Sequence, residues 1–442
     1  MKVIARVMLG LALFTLHCSL FTSCVEGTDN VFDDSSAIRL QKSVASYSQL
    51  LKDNTQGWSM DFYPGDLTDG GIAYTARFTD SEVTLSCEQA IDYSELVNKS
   101  EYKYNAGDEV TSGYTVKSES SVILSFDTFN ALIHYWAQPF KLDADGYGGD
   151  YEFTFLSACA DSVVLRGKKY GNLLRLYPLT VTPAEYVSKA AIMRSKLSTI
   201  PRKRIVVDGQ TYNIDFANSH LRYFVGDNTY SVPFAFTADG LRFYQPVTIA
   251  GVTARELKYD DATNELRAAD GRFVLPAPST TEQFLATRHQ WYFGYDKSSG
   301  AYDMCDELKS IVADVVKGFK SVGWGYEVMQ SFYIGANLQS ADKDSHSIVI
   351  GWDALDNYGA GDHNYFCYAI TMYTADDDTE TMSILPFEAG TGFDKKQFCK
   401  PFVDFIGQHS PYHLAFDSDD NPTCVVLTSK ADSNYWFKLT KK

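Results

Sequence analysis

Apolar side chains recur at helical spacing in three segments of the chain. Ser35–Asn54 carries apolar residues three or four positions apart and therefore predicts a first helix. Ser35 is available to cap its start, and Gly57 marks its end. Pro183–Ser198 and Asp303–Phe319 predict two more helices, the former with proline in its opening turn, where the missing N–H is tolerated. Pro276–Thr281 separates patterned segments and predicts a linker.

Most of the remaining chain alternates between apolar and polar positions in short runs. Between residues 58 and 179 these runs predict seven strands, at Gly70–Phe78, Glu82–Glu88, Gly113–Lys117, Ser121–Phe126, Tyr151–Phe155, Ser162–Arg166 and Asn172–Leu176. Residues 200–278 add Tyr230–Phe236, Leu241–Tyr244 and Val247–Ala250, and strands return after Trp324. Short strands broken at regular intervals by Gly, Asp and Ser predict an antiparallel sandwich or barrel. The predicted fold class is therefore α+β, mainly antiparallel β.

Short strings of sequence occur twice in the same order. The pairs are Ile123–Asp127 with Ile384–Glu388, Val163–Lys168 with Val425–Lys430, and Gly57-Trp58 with Gly323-Trp324. Their offsets are 261, 262 and 266 residues, and each Gly-Trp pair follows a predicted helix. Matches that keep their order and spacing predict a divergent duplication of a helix-plus-antiparallel-sheet module, sandwich-like or barrel-like.

The N-terminus has the pattern of a lipoprotein signal peptide. Met1–Arg6 carries two positive charges, and Val7–Leu16 is apolar but too short to span a membrane stably. The small residues Thr22 and Ser23 precede Cys24, so we expect cleavage after residue 23 and lipidation of Cys24. The alternative is an ordinary secreted protein with a cysteine near the cleavage site.

These patterns together predict five segments along the chain. They are a signal peptide (1–23), a tether (24–34), an N-terminal helix-plus-β module (35–180), a middle β-rich module (181–278) and a C-terminal helix-plus-β module (279–442) that is a divergent repeat of the first.

Charge and cysteine spacing narrow the range of partners. The formal charge is −17, and removing Lys2 and Arg6 with the signal peptide leaves 37 basic against 56 acidic residues, or −19. An anionic chain does not suit nucleic acid, so no nucleic-acid partner is expected. The six cysteines after Cys24 lack the spacing of a zinc or redox motif, while one or two disulfides stay open.

The motifs of common enzyme classes do not occur in the sequence. There is no HExxH, no Gly-x-Ser-x-Gly and no Walker motif, and the string His409–His413 lacks the glutamate of a metallopeptidase. We therefore predict no catalytic residue, no metal site and no cofactor. The loop Asp143–Asp150 is interpreted as a turn between strands, with calcium binding as the alternative.

Aromatic residues make up 14% of the chain and suit both β-sheet cores and binding surfaces. Flat rings with a polar edge stack on sugars or hold peptide side chains. On this basis Trp291, Tyr292 and Trp352 are the predicted ligand-binding residues, and the alternative is that they fill the core.

Several strings resemble one family of proteins. They are Gln56-Gly57-Trp58, Gly70-Gly71, Phe126–Asn130 with His134, Gly149–Phe153 and Gly167–Lys169. They resemble a domain-of-unknown-function family of Bacteroidota lipoproteins, whose members tend to be encoded beside starch-utilisation-type outer-membrane transporters and their lipoprotein partners. The acidic residues after Cys24 also resemble a surface-export signal of such lipoproteins. This resemblance implies a cell-surface uptake context and brings no characterised activity.

The predicted function is that of a cell-surface outer-membrane lipoprotein, a non-enzymatic binding component of a nutrient uptake system. Its expected partners are the membrane through the lipid anchor, a glycan or peptide ligand, and an outer-membrane transporter with its lipoprotein partner. The alternative is a structural or adhesive surface protein that binds other proteins. A hydrolase without a recognisable motif comes third.

Overall fold

The computed structural model consists mainly of antiparallel strands, with a smaller share of α-helix. It describes residues 35–65, 67–95, 102–139, 146–200, 202–287, 291–296, 301–321, 328–335, 348–354, 364–375, 378–387, 396–419 and 421–441. The described strands form one nine-stranded sheet, two closed barrels and two small two-stranded sheets. This confirms the predicted fold class, α+β and mainly antiparallel β. Cys24 and the predicted tether lie outside the described residues.

In its described residues, the first unit consists of a helix, α1 (Ser36–Asp53), and eleven strands. The strands are β1 (Trp58–Phe62), β2 (Ile72–Phe78), β3 (Glu82–Cys87), β4 (Ile91–Asp92), β5 (Lys103–Tyr104), β6 (Glu109–Gly113), β7 (Thr115–Ser118), β8 (Val122–Ser125), β9 (Glu152–Cys159), β10 (Ser162–Gly167) and β11 (Leu173–Pro178). Nine of them form a sheet in the order β6-β3-β2-β1-β11-β10-β9-β8-β7. The two edge strands, β6 and β7, are separated in sequence by Tyr114 alone, so the sheet curls towards closure.

Local sequence signals explain where α1 begins and how it joins the sheet. The Ser35 hydroxyl accepts a hydrogen bond from the Ile38 N–H at 3.4 Å, which caps one of the unpaired donors of the first turn. Near the other end Leu51 is buried, and its carbonyl accepts a hydrogen bond from the Trp58 indole at 2.8 Å. The helix is thereby held against the first strand of the sheet.

The middle unit is a closed barrel preceded by the helix α2 (Pro183–Ser198). Its strands are β12 (Arg202–Val207), β13 (Gln210–Ala217), β14 (His220–Val225), β15 (Asn228–Thr237), β16 (Gly240–Ile249), β17 (Val252–Asp260), β18 (Glu265–Arg267) and β19 (Phe273–Leu275). Pairing of β12 with β19 closes the barrel. The sequence predicts two strands, Leu241–Tyr244 and Val247–Ala250, where the structure has the single strand β16. The two predicted strands are separated by Pro246, which has no N–H to donate to a neighbouring strand, and the register of β16 shifts between Arg242 and Val247.

The C-terminal unit is a second closed barrel, and the part of it that the structure describes has three helices, α3 (Thr280–Ala286), α4 (Asp306–Ser321) and α5 (Lys396–Gln408). Its strands are β20 (Trp291–Phe293), β21 (Tyr295–Asp296), β22 (Ala301–Tyr302), β23 (Val328–Gly335), β24 (Ile348–Ala354), β25 (Asn364–Ala375), β26 (Asp378–Phe387), β27 (Tyr412–Phe416), β28 (Cys424–Ser429) and β29 (Trp436–Lys441). The prediction of a linker at Pro276–Thr281 is wrong for its last two residues, which belong to α3. A capping box between Ser279 and Glu282 starts α3 at Thr280.

The repeated strings lie in equivalent strands of the first and last units. The antiparallel series β8-β9-β10-β11 contains the first copies and β26-β27-β28-β29 contains the second. Each series then pairs its last strand with the strand that opens the unit, β1 or β20. These opening strands start at Trp58 and Trp291, which are both buried, whereas Gly323-Trp324 lies outside the described residues. By topology, the residue that corresponds to Trp58 is therefore Trp291. The helix before Gly323-Trp324, α4, follows β20, whereas α1 precedes β1.

Candidate functional site

The helix α2 lies between the first unit and the middle barrel and contributes to the cores of both. Tyr186 and Ala190 pack with Ala73 of the nine-stranded sheet. Met193 and Leu197, one and two turns further along, belong to the core of the barrel. Because one helix is buried against both units, it joins them along a continuous contact.

A buried ion pair at this contact joins α2 to the nine-stranded sheet. The Arg194 Nε donates to Glu88 Oε2 at 2.9 Å, and its Nη2 donates to Oε1 at 2.7 Å. Arg194 also donates to the Gly71 carbonyl at 3.0 Å and to the Ser219 hydroxyl at 3.2 Å. The Glu88 side chain is completely buried, and this burial raises the pKa of its carboxyl although the arginine acts in the opposite direction.

A second buried ion pair joins the barrel directly to the sheet. The Arg242 Nη1 on β16 donates to both carboxylate oxygens of Asp61 on β1, at 3.0 and 2.7 Å. The Asp61 side chain is completely buried, and the Arg242 guanidinium lies 3.9 Å from the centroid of the Tyr177 ring. The Tyr63 hydroxyl donates to the Arg242 carbonyl at 3.1 Å. Two such pairs, at separate points, fix the orientation of the two units.

Two adjacent glycines allow the backbones of the two units to approach each other. The Gly71 N–H donates to the Phe234 carbonyl of the barrel at 2.9 Å. A Cβ on Gly70 would lie 2.4 Å from the Ser219 Cβ, and one on Gly71 would lie 2.6 Å from the Ala235 Cβ. Gly70 also has a φ of +71°, which L side chains rarely adopt. The Gly70-Gly71 string therefore has a structural role at the contact between the units.

A cleft of about 630 Å³ opens beside this contact, with Arg194 in its wall. Aromatic side chains form one part of the lining, namely Tyr135, Trp136 and Tyr147. Polar side chains from separate segments form much of the rest, among them Thr68, Asp69, Gln89, Ser195 and Asn218. Polar side chains outnumber apolar and aromatic ones in this lining, whereas ligand sites usually combine mainly apolar walls with a few polar groups.

Hydrogen bonds hold the aromatic wall of the cleft in place. The Trp136 indole donates to the Tyr74 hydroxyl at 2.6 Å, and that hydroxyl donates to the Leu132 carbonyl at 2.8 Å. The Tyr135 and Tyr147 hydroxyls are 3.3 Å apart, and the Trp136 and Tyr147 ring centroids are 5.0 Å apart. Because burial raises the pKa of Tyr135, its hydroxyl stays neutral and keeps its proton.

Outside the cleft, three aromatic side chains form a surface that we call the aromatic ledge: Phe129, His134 and Tyr151. Phe129 and Tyr151 are 41% and 44% exposed. His134 lies between them, stacked on Tyr151 with centroids 4.7 Å apart and 5.5 Å from Phe129. Tyr93 connects ledge and cleft, since its ring is 6.3 Å from Phe129 and 5.3 Å from Tyr135.

The chemistry available in the cleft is mainly hydrogen bonding, because Tyr135 and Trp136 are only 8% and 5% exposed. Among its described lining residues Asp69 is the one carboxylate, whereas glycoside hydrolysis generally uses two. Glu88 lies behind Arg194 and is bound to it through both oxygens. In the described part of the chain, no group of three or more His, Cys, Asp or Glu side chains is placed to hold a metal ion.

The structure places the predicted ligand-binding residues away from this cleft. Trp291 is completely buried, packs at 5.0 Å on Phe284 and donates its indole N–H to Thr287. A ring with no exposed face cannot stack on a ligand, so the assignment of Trp291 as a binding residue is corrected to the core. Tyr292 is half-buried, and Trp352 lies in β24 with its side chain outside the described part. Lipidation of Cys24 stays a prediction.

The acidic loop Asp143–Asp150, for which calcium binding was the alternative, is explained in part by turn geometry. Residues 143–145 lie outside the described ranges, but the Asp150 carboxylate is described and accepts hydrogen bonds from the backbone N–H groups of Lys169, Tyr170 and Asn172. Asp417 likewise accepts backbone hydrogen bonds at the turn before β28. Both carboxylates stabilise turns between strands.

The state of the cysteines and the lengths of the helices concern two further properties, disulfide bonding and membrane spanning. Of the cysteines whose side chains are described, Cys87, Cys159, Cys305 and Cys424 are all free thiols, and burial raises the pKa of Cys87 to about 12. Among the helices in the described ranges, none is both long and apolar enough to cross a membrane.

Sequence reasoning missed the cleft because its lining comes from separate segments between residues 68 and 219. The one local signal was His134-Tyr135-Trp136, three consecutive aromatic side chains in a short 3-10 turn outside the strands. Its first residue belongs to the aromatic ledge and the next two line the cleft.

Comparisons with known proteins place the chain in a family. The sequence profile of a domain of unknown function (DUF4302) matches residues 28–261. A search among curated proteins found no match. Among solved structures, the DNA polymerase sliding clamp from Caulobacter crescentus is 8% identical to this chain. The comparison covers 91% of this chain and 98% of that chain, with a TM-score of 0.11. A similarity this low supports no conclusion about fold or function. The matched region exceeds half of the chain and contains both walls of the cleft. The chain therefore belongs to the family of proteins that share this domain of unknown function.

Proposed function

We propose that the protein is a non-enzymatic surface lipoprotein of the outer membrane that captures a nutrient ligand, a glycan or a peptide, for an uptake system. The cleft between the first unit and the middle barrel carries this proposal. Its volume of about 630 Å³ suits a small ligand or one segment of a larger one. Its lining offers aromatic rings, amides, hydroxyls and one guanidinium, which together can orient and hold such a ligand.

The rigidity of the cleft supports a binding role. Arg194 and Arg242 hold the two units through buried carboxylates, and Gly70-Gly71 brings their backbones into contact. A site whose walls are already fixed loses little conformational entropy when a ligand enters, which raises the affinity obtained from the same contacts.

The proposed location depends on the N-terminus. A lipid on Cys24 would hold the mature chain at a membrane, because each buried methylene contributes about 0.8 kcal/mol to anchoring. The resemblance to Bacteroidota lipoproteins encoded beside starch-utilisation-type transporters supports an outer-membrane transporter as the partner that receives the ligand.

Replacing Cys24 by serine should release the protein from the membrane, since the thiol is the atom that carries the lipid. With a labelled fatty acid we expect the wild type to be labelled and to sediment with outer membranes, and Cys24→Ser to be unlabelled. Cys159→Ser, which removes an exposed thiol elsewhere, is the control and should behave as the wild type. A wild-type protein without label would contradict the proposed anchor.

The binding role can be tested by filling the cleft. Residues 25–442 are purified and applied to glycan and peptide arrays, and ligands that bind are titrated by calorimetry. Ser195→Trp places a bulky ring in the cleft and should weaken binding at least about tenfold. Ser188→Trp is the matched control, an exposed serine two turns earlier on α2 and outside the cleft lining, and it should bind as the wild type. Silence on both arrays, or turnover of an arrayed compound, would refute the proposal.

One observation favours a second candidate function, that of a structural or adhesive protein. The hairpin of β14 and β15 exposes Phe224, Val225 and Tyr230 at 53%, 50% and 44%. Clustered exposed apolar side chains are typical of protein–protein contacts. A stable protein complex that is lost in Phe224→Ser, together with silent ligand arrays, would favour this function over ligand capture.

A further inference from the structure

The aromatic ledge and the cleft are connected through the protein interior by a series of ring contacts. From Tyr135 in the cleft the series passes through Tyr93 to Phe129, His134 and Tyr151, with successive ring centroids 4.7 to 6.3 Å apart. The short turn containing His134 and Tyr135 contributes one residue to each part. Tyr93 is completely buried, so the exposed rings of the ledge and the lining of the cleft lie on two sides of one ring cluster.

The charge of the site favours an uncharged ligand. Arg194 donates to both oxygens of buried Glu88, so the guanidinium in the wall is largely neutralised. The chain as a whole is strongly acidic, with a formal charge of −17, which repels polyanions.

The form of the ledge separates a glycan from a peptide. Phe129 and Tyr151 present exposed ring area, and flat rings suit the C–H faces of sugar rings. Recognition of an extended peptide commonly relies on the unpaired backbone of a sheet edge. The rings of the ledge come from the loop between β8 and β9, which are both interior strands, whereas the unpaired backbone of this sheet belongs to the edge strands β6 and β7.

We propose that the ligand is an extended, neutral polysaccharide, with a few sugar units held in the cleft and the following units stacked on the aromatic ledge. This inference rests on the proposed binding function and adds a ligand class and a second subsite. The cleft sets which sugar binds, and the ledge adds affinity for long chains through further stacking contacts.

The experiment uses the double variant Phe129→Ala/Tyr151→Ala in residues 25–442. Electrophoresis through gels containing amylopectin, laminarin, galactomannan or anionic polygalacturonate measures retardation, and calorimetry measures binding of two- to three-unit oligosaccharides from the retarding polymer. We expect a neutral polymer to retard the wild type. The double variant should bind that polymer about tenfold more weakly, from two lost stacking contacts, and bind the short oligosaccharide unchanged.

Tyr230→Ala is the matched control, because Tyr230 is as exposed as Tyr151 but lies on the middle barrel. Far-ultraviolet circular dichroism and thermal melts establish that each variant is folded. Equal retardation of the double variant and the wild type by a neutral polymer would overturn the ledge as a subsite. Retardation by polygalacturonate alone, or binding of arrayed peptides alone, would overturn the ligand class and leave the binding function standing. No binding in any arm would refute the proposed function itself.

Discussion

Replacing Arg194 by methionine is expected to lower the free energy of unfolding by about 3–5 kcal/mol, because it leaves the buried Glu88 carboxylate without its cation. The Glu88 side chain has no exposure to solvent, and its two oxygens accept hydrogen bonds from the guanidinium at 2.9 and 2.7 Å. Methionine keeps much of the length and apolar contact of the arginine stem. The loss therefore reports on the ion pair and on the hydrogen bonds to Gly71 and Ser219 rather than on packing. Urea unfolding followed by tryptophan fluorescence and circular dichroism measures it.

The same change has a pH signature with a definite sign. Burial raises the pKa of Glu88 in the folded protein, and the arginine acts against that rise. Without the arginine the folded-state pKa rises further above the unfolded value of about 4.3. A carboxyl with a raised folded pKa contributes stability below its unfolded pKa and loses it as the pH rises through the folded pKa. The deficit of Arg194→Met should therefore be larger at pH 7 than at pH 4.

Two further variants separate a buried ion pair from a general effect of losing an arginine. Arg222→Met removes a pair with Asp215 in which both side chains are accessible to solvent, and it should cost no more than about 1 kcal/mol. Arg194→Met/Glu88→Leu removes both buried charges and should recover much of the lost stability. An Arg194→Met protein as stable as Arg222→Met would show that the pair does not hold the two units together.

Much of the fold could be predicted because its elements are marked by local signals. The bounds of α2 are those predicted, since Pro183 lies in its first turn and Thr182 caps it. The strand β2 is predicted as Gly70–Phe78 and is observed at Ile72–Phe78, so the two glycines are the part of the prediction that is wrong. By contrast α5 was missed. It buries Phe402, Val403 and Ile406, but it contains Pro401, which argues against a helix in a sequence read without tertiary contacts.

Barrel closure and the cleft could not be predicted because both depend on contacts between distant residues. The middle barrel closes where Val206 pairs with Val274, and no property of either residue specifies that partner. The cleft requires α2 to pack against both units, which brings Gln89, Trp136 and Ser195 to one site. Trp291 shows the converse error, since an aromatic-rich string suits a core strand as well as a binding surface until its burial is known.

Trp291→Ala is the second change for which we expect a large effect, a loss of about 3–5 kcal/mol in the free energy of unfolding. The ring has no exposed surface, packs on Phe284 with centroids 5.0 Å apart, and donates its indole N–H to the Thr287 hydroxyl at 3.1 Å. Its backbone pairs with Lys441, so the residue also lies where the C-terminal barrel closes. Removing the ring leaves a cavity at that closure and an unfilled hydrogen bond at the end of α3.

Ligand binding distinguishes this core role from the platform that the sequence suggested. Thermal unfolding of Trp291→Ala is compared with that of Tyr292→Ala, which truncates the half-buried neighbour and should cost less. At a temperature where Trp291→Ala is still folded, its affinity for whatever ligand the arrays identify should equal that of the wild type, because the cleft lies in the first two units. If the variant kept its stability and lost the ligand, Trp291 would be part of the binding surface and the site would have to be sought in the C-terminal barrel.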